Sequence, residues 1–201
     1  MSEVRRIAMW SGPRNLSTAM MRSFSSRADS FVSDEPFYAA YLKATALDHP
    51  MREEVMASQP QDADEVVRQI MGPVPGGKSV WYQKHMSHHM VGGFPLDWMD
   101  GVTNVFLLRS PERVLASYAQ KRESVNLADI GFEGQAMLFD RVAQRTGTAP
   151  VVVDSDDIRR NPEGTLSALC AAVGLGWDPA MLNWPKAVSY THLTLPTICS
   201  V

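Results

Sequence analysis

The chain reads as an α/β fold of three layers, a mostly parallel sheet with helices on both faces. Two observations predict it. Short, nearly continuous apolar runs such as Val105-Phe106-Leu107-Leu108 have the pattern of strands buried on both sides. Segments with apolar residues three and four apart separate these runs, and strands alternating with helices build a parallel sheet.

The elements follow in order. A first strand over 6–10 stops at Gly12-Pro13 and restarts at once as a helix over 16–25. A second strand, 31–33, leads through Asp34-Glu35-Pro36 into a helix over 37–46, and two more helical patterns cover 52–57 and 64–71. The third strand is expected at 80–84 and the fourth at 102–108, flanked by the surface turns Gly72 to Gly77 and Gly92 to Pro95. Ser110-Pro111-Glu112 sets a capping hydroxyl, an N1 proline and a first-turn acid ahead of a helix over 111–122. A helix over 132–145, a fifth strand at 151–153 and a helix over 163–173 complete the series, the last opened by Asn161-Pro162-Glu163. In this architecture ligands sit beyond the carboxyl ends of the strands.

With 201 residues, 45% of them apolar, the chain suits one globular domain, expected over 1–187. A net charge of -3 argues against a general nucleic-acid binder, which needs many phosphate-neutralising cations. Two cysteines, Cys170 and Cys199, make no disulfide framework. No apolar run is long enough for a membrane span and no secretory leader precedes the first strand, so the expected compartment is cytoplasmic, without a membrane partner. Oligomeric state leaves no signal.

Two segments carry anion chemistry. The strand-to-helix junction aims first-turn N–H groups and a positive helix end at a phosphate or sulfate, with Arg14 adding charge and Ser17 and Thr18 adding hydroxyls. Arg109 leaves the end of the fourth strand, and the following helix carries Ser117 about two turns along, so both can converge on one phosphate. An ion pair of Arg109 with Asp97 or Asp100 is the alternative. His85, His88 and His89 lack a clear fourth ligand, and Asp154, Asp156 and Asp157 read as a capped turn, so no metal is expected. Aromatic residues including Phe37, Tyr38, Trp81 and Trp98 read as core more readily than as a ligand pocket.

Together these segments resemble the sulfotransferase superfamily, whose P-loop NTPase-like fold uses 3'-phosphoadenosine 5'-phosphosulfate. Pro13-Arg14-Asn15-Leu16-Ser17-Thr18 occupies the place of the family's 5'-phosphosulfate loop, with Leu16 where the family has glycine. Arg109, Pro111, Ser117 and Tyr118 match its 3'-phosphate segment, and 151–179 match a later strand, acidic turn and Gly-Leu, Asp-Pro sequence. The resemblance implies sulfuryl transfer from this co-substrate to a hydroxyl or amine of a small-molecule acceptor, without a metal. Arg14 would stabilise the leaving oxygen. Glu35, after the second strand, and His85, just past the third, stand where relatives draw a catalytic base. A non-catalytic nucleotide-binding module is the alternative function. A small-molecule kinase fits less well, because no G-x-x-x-x-G-K-[ST] loop is present. Residues 188–201 resemble the translation of a transposase mosaic-end adapter, so the authentic sequence is expected to stop near Ala187 with its own C-terminus missing.

Overall fold

The computed structural model describes residues 4–119 and 131–183, with the backbone alone for 117–119. The expected boundary near 187, the segment 188–201 and the end of the 111–122 helix lie outside the described residues.

Five strands form one sheet in the order β2-β3-β1-β4-β5: β1 (Arg5–Ser11), β2 (Ser30–Asp34), β3 (Val80–Met86), β4 (Thr103–Leu108) and β5 (Val151–Asp154). Every described pairing is parallel. The helices are α1 (Ser17–Ser25), α2 (Tyr38–Thr45), α3 (Arg52–Ser58), α4 (Ala63–Ile70), α5 (Pro111–Ala119), α6 (Phe132–Thr146), α7 (Ser155–Arg160) and α8 (Pro162–Ala172).

Side-chain alternation along β1 divides the core. Ile7 and Met9 face one side, where Met20, Met21 and Phe24 of α1 and Leu166, Leu169 and Cys170 of α8 cover them. Ala8 and Trp10 face the other, under Val66 and Ile70 of α4 and Leu138 and Val142 of α6. Each fully buried apolar side chain contributes about 1.5–3 kcal/mol, so both layers are needed to hold the sheet. The buried Trp10 indole donates to Asn104 Oδ1 at 2.9 Å, which satisfies its polar edge. Residues of α2 and α3 form a smaller cluster around Tyr38, Leu42 and Val55.

Register aligns the strand ends. Ser11 pairs with Met86 on one side and Leu107 on the other, and Asp34 pairs with Lys84. The segments after β2, β3, β1 and β4 therefore emerge along one edge of the sheet.

Two elements differ from expectation. The third strand runs on to Met86, so His85 lies inside β3 opposite Trp10 rather than past its end. The acidic turn after β5 winds into α7, because Asp154 accepts from Asp156 N at 2.7 Å and caps a first turn that also carries Asp156 and Asp157. The second cap is as expected, with Asn161 Oδ1 accepting from Gly164 N at 3.1 Å. Among the described residues no helix is long and apolar enough to cross a membrane.

Candidate active site

The loop between β1 and α1 is wound tightly. Arg14 has φ 62° and Leu16 has φ 60°, left-handed conformations that cost non-glycine residues roughly 1–2 kcal/mol each. Leu16 is the residue preceding α1, and among the described residues no side chain caps the helix and no acid stands in its first turn. The first N–H groups of α1 and its positive dipole end are left for an anion. Asn15, 2% exposed, anchors the loop by donating from Nδ2 to Leu107 O at 2.6 Å. Ser17 is buried and Thr18 half-buried at the helix start, while Arg14 is exposed and Pro13 half-buried.

Arg109 closes the opposite side of this loop. Its Nη1 donates to Arg14 O at 2.7 Å. The alternative ion pairs do not form: Asp97 takes Arg141 at 2.7 Å and Asp100 takes Arg145. Arg109 Nε is buried and has no hydrogen-bond partner, an orphan donor that a phosphate oxygen would satisfy. Burial, then repulsion from Arg159 and Arg113, pulls the Arg109 guanidinium below its usual value. Of those neighbours Arg113 is itself paired, with Asp156 accepting from Arg113 Nη1 at 3.1 Å. Ser117 lies within α5, and its side chain is outside the described residues.

The β2–β3 side of the edge is built differently. Lys84, 3% exposed, holds Asp34 Oδ1 at 2.8 Å and Glu35 Oε1 at 2.7 Å. Burial opposes the lysine charge, but the two carboxylates outweigh it and raise the Lys84 pKa. Glu35 itself has φ 47°, with its N–H donating to Lys84 O and its carbonyl accepting from Tyr38 N, each at 3.0 Å. Its side chain therefore turns to Lys84 instead of capping α2.

The histidines separate. His85 falls on the opposite face of β3 from Lys84, stacked on Trp10 with ring centroids 4.7 Å apart and close to Trp98 at 5.2 Å. Its Nε2 lies 3.2 Å from Gln83 Oε1, and burial pushes its pKa down to about 3. His89, in the 3₁₀ turn Ser87–His89, stacks between Tyr38 at 4.8 Å and Tyr41 at 4.7 Å, with Nε2 4.0 Å from Glu35 Oε2. Sequence reasoning considered His89 only for metal binding. The usable signal was Tyr38 and Tyr41, three apart on one helix face and able to clamp a single ring.

Two other contributors were missed. Ser87 Oγ donates to Gly131 O at 2.9 Å and lies 3.3 Å from Ser11 O, joining the ends of β1 and β3 to the start of α6. A Cβ at Gly131 would stand 3.1 Å from Ser87 Oγ and 3.6 Å from both Gly12 Cα and His88 Nδ1, and its φ of 73° also favours glycine. Gln135 Nε2 donates to Trp10 O at 3.1 Å and Leu107 O at 2.9 Å, tying β1 to β4 beside the loop.

A bare helix N-terminus and an arginine from the neighbouring strand, sharing one edge of a parallel sheet, define an α/β protein of P-loop-like architecture. The chain belongs to the sulfotransferase domain family, whose model matches residues 5–193. It is similar in fold to the sulfotransferase from Alicyclobacillus acidocaldarius, with a TM-score of 0.58 and 14% identity over 90% of this chain and 84% of that one. The sulfotransferase domain from the curacin biosynthetic pathway gives 0.56 and 14% over 90% and 78%. A mouse sulfotransferase complexed with PAP gives 0.51 and 10% over 89% and 62%. The branched-chain-amino-acid aminotransferase-like proteins 1 and 2 of Arabidopsis thaliana are each 35% identical, over 92% and 89% of this chain. The chain spans only 33% and 31% of the length of these curated relatives.

Proposed function

We propose that the chain transfers a sulfuryl group from 3'-phosphoadenosine 5'-phosphosulfate to a hydroxyl or amine of a small molecule. The observation that carries this reading is the contact of Arg109 Nη1 with Arg14 O, 2.7 Å, which sets a second cationic fork against the uncapped start of α1. A nucleotide with phosphates at both its 5' and 3' positions suits such a pair. The residues present fit it: the α1 N–H groups lack a cap, Arg109 Nε lacks a partner, and no acid occupies the first turn.

The co-substrate, when bound, supplies an activated sulfuryl group and a phosphate leaving group. Loop residues Pro13, Arg14, Asn15, Leu16, Ser17 and Thr18 hold its 5' end, and Arg14 with the helix N-terminus faces the charge that develops on the leaving oxygen. Arg109 and Ser117 select the 3'-phosphate. Glu35 on the β2 side takes the proton of the acceptor. His85 supports this site as a neutral, buried ring rather than as the base, since burial makes it a weak proton acceptor near neutrality.

Calorimetric titration with adenosine 3',5'-bisphosphate and with AMP tests the proposal. The bisphosphate is expected to bind at least about tenfold more tightly, a difference of about 1.4 kcal/mol. Equal affinities would overturn it.

A further inference from the structure

The two halves of the sheet edge are built from different charged groups. On the donor side stand Arg14, Arg109, Arg113 and Arg159, with Asp156 paired to Arg113. On the β2–β3 side, Asp34 and Glu35 share one lysine, so two negative charges meet one positive charge. The neighbouring rings do not restore the balance. His89 is held neutral by burial and by the nearby His88 and Lys84, and His85 is neutral as well.

One excess carboxylate charge therefore stands where the acceptor is read to bind. Glu35 Oε1 is occupied by Lys84, whereas Oε2 faces His89 Nε2 across 4.0 Å, too far for a hydrogen bond. His89, 3% exposed, also leaves Nδ1 buried without a partner. Glu35 keeps 23% of its side chain exposed and Asp34 keeps 38%, so the excess charge reaches solvent and a ligand. Half-buried Tyr41, stacked on His89, adds an aromatic surface of the kind that attracts cations.

We infer that the acceptor site selects a cationic small molecule, one carrying an ammonium group, over neutral or anionic analogues. This rests on the acceptor side assigned to Glu35 above. The ammonium would be the acceptor amine itself, meeting the free oxygen of Glu35 that takes its proton and the surplus charge of the Asp34–Glu35 pair, and an anionic acceptor would be repelled before reaching the transfer position.

Three para-substituted phenols test this: tyramine with an ammonium, 4-ethylphenol with no charge and 3-(4-hydroxyphenyl)propionate with a carboxylate. Their binding is measured by ligand-detected NMR, with and without adenosine 3',5'-bisphosphate. Tyramine is expected to bind at least about tenfold more tightly than the propionate, and the ratio should shrink several-fold between 50 and 500 mM salt as screening grows. Glu35→Gln should reduce the ratio to about threefold or less, with its melting temperature measured alongside to show that it folds. Equal binding, the reverse order, or no binding of tyramine overturns the inference. Because the probes are also titrated without nucleotide, failure of the bisphosphate to bind counts against the donor reading alone.

Discussion

The guanidinium of Arg109 donates from Nη1 to the carbonyl oxygen of Arg14, 2.7 Å away and 95 residues earlier in the chain. Asn15 Nδ2 makes a parallel tie in the other direction, to Leu107 O at 2.6 Å. The loop after β1 and the exit of β4 thus brace one another, and any anion bound at the start of α1 is within the field of a second arginine.

Arg109→Ala should abolish the preference for adenosine 3',5'-bisphosphate over AMP. A charge-assisted hydrogen bond contributes about 1.5–3 kcal/mol, so the bisphosphate should weaken by roughly 10- to 100-fold while AMP changes little. Arg109→Lys should restore only part of the difference, because an ammonium cannot hold Arg14 O and a phosphate in one planar fork. Calorimetric titration of both variants checks this.

Leu16→Gly should tighten bisphosphate binding. Leu16 adopts φ 60° and ψ 11°, a conformation open to glycine without steric cost, so the change relieves about 1 kcal/mol of strain. Glycine's greater unfolded-state freedom offsets much of that gain, and the melting temperature should move by only a few degrees. The bound state benefits more, since the leucine side chain no longer stands beside the helix N-terminus. Paired thermal melts with and without nucleotide separate the two effects.

Lys84→Met should cost about 2 kcal/mol at neutral pH. That is less than for a fully buried ion pair, because Asp34 and Glu35 remain partly solvated. The Lys84 pKa is raised in the folded state, so its stabilisation is complete below the unfolded lysine value near pH 10 and fades as pH climbs through the folded one. Urea unfolding at pH 7, 9 and 11 should show the gap between wild type and variant persisting at the first two values and narrowing at the third.

Acid should destabilise the fold well before most carboxylates titrate. His85 is depressed from 6.5 to about 3, so between those values the unfolded chain binds a proton that the folded chain refuses. Stability should fall by about 1.4 kcal/mol per pH unit for this residue as pH drops below 6.5. His89 is depressed too and adds to the slope. His85→Phe is expected to reduce the acid slope by one proton, even if losing the contact with Gln83 lowers absolute stability; an unaltered slope from pH 6.5 to 4 would contradict it.

Much of the fold was legible because its signals are local. Gly12-Pro13 marked the break after β1, Asn161-Pro162-Glu163 marked the start of α8, and the run at Val105 to Leu108 marked a buried strand. His85 was misplaced because the end of β3 is set by its partners: pairing of Met86 with Ser11 carries the strand two residues beyond 84, and alternation sends His85 to the face away from Lys84. Side-chain partners across the sheet, such as Lys84 with Asp34 and Glu35 or Gln135 with Trp10 and Leu107, come from register and topology, which no local pattern encodes.

The far end of α1 is secured as well. Ser23 Oγ donates to Met181 O at 2.5 Å, and Arg27, just beyond the helix, is 6% exposed and donates to Gly176 O at 2.8 Å. With its base moored to the segment after α8 and its tip braced by Asn15, the helix behaves as a strut that cannot recoil from or lean toward an arriving anion. Its field is in place beforehand, so little reorganisation energy would be needed to receive an anion at the tip.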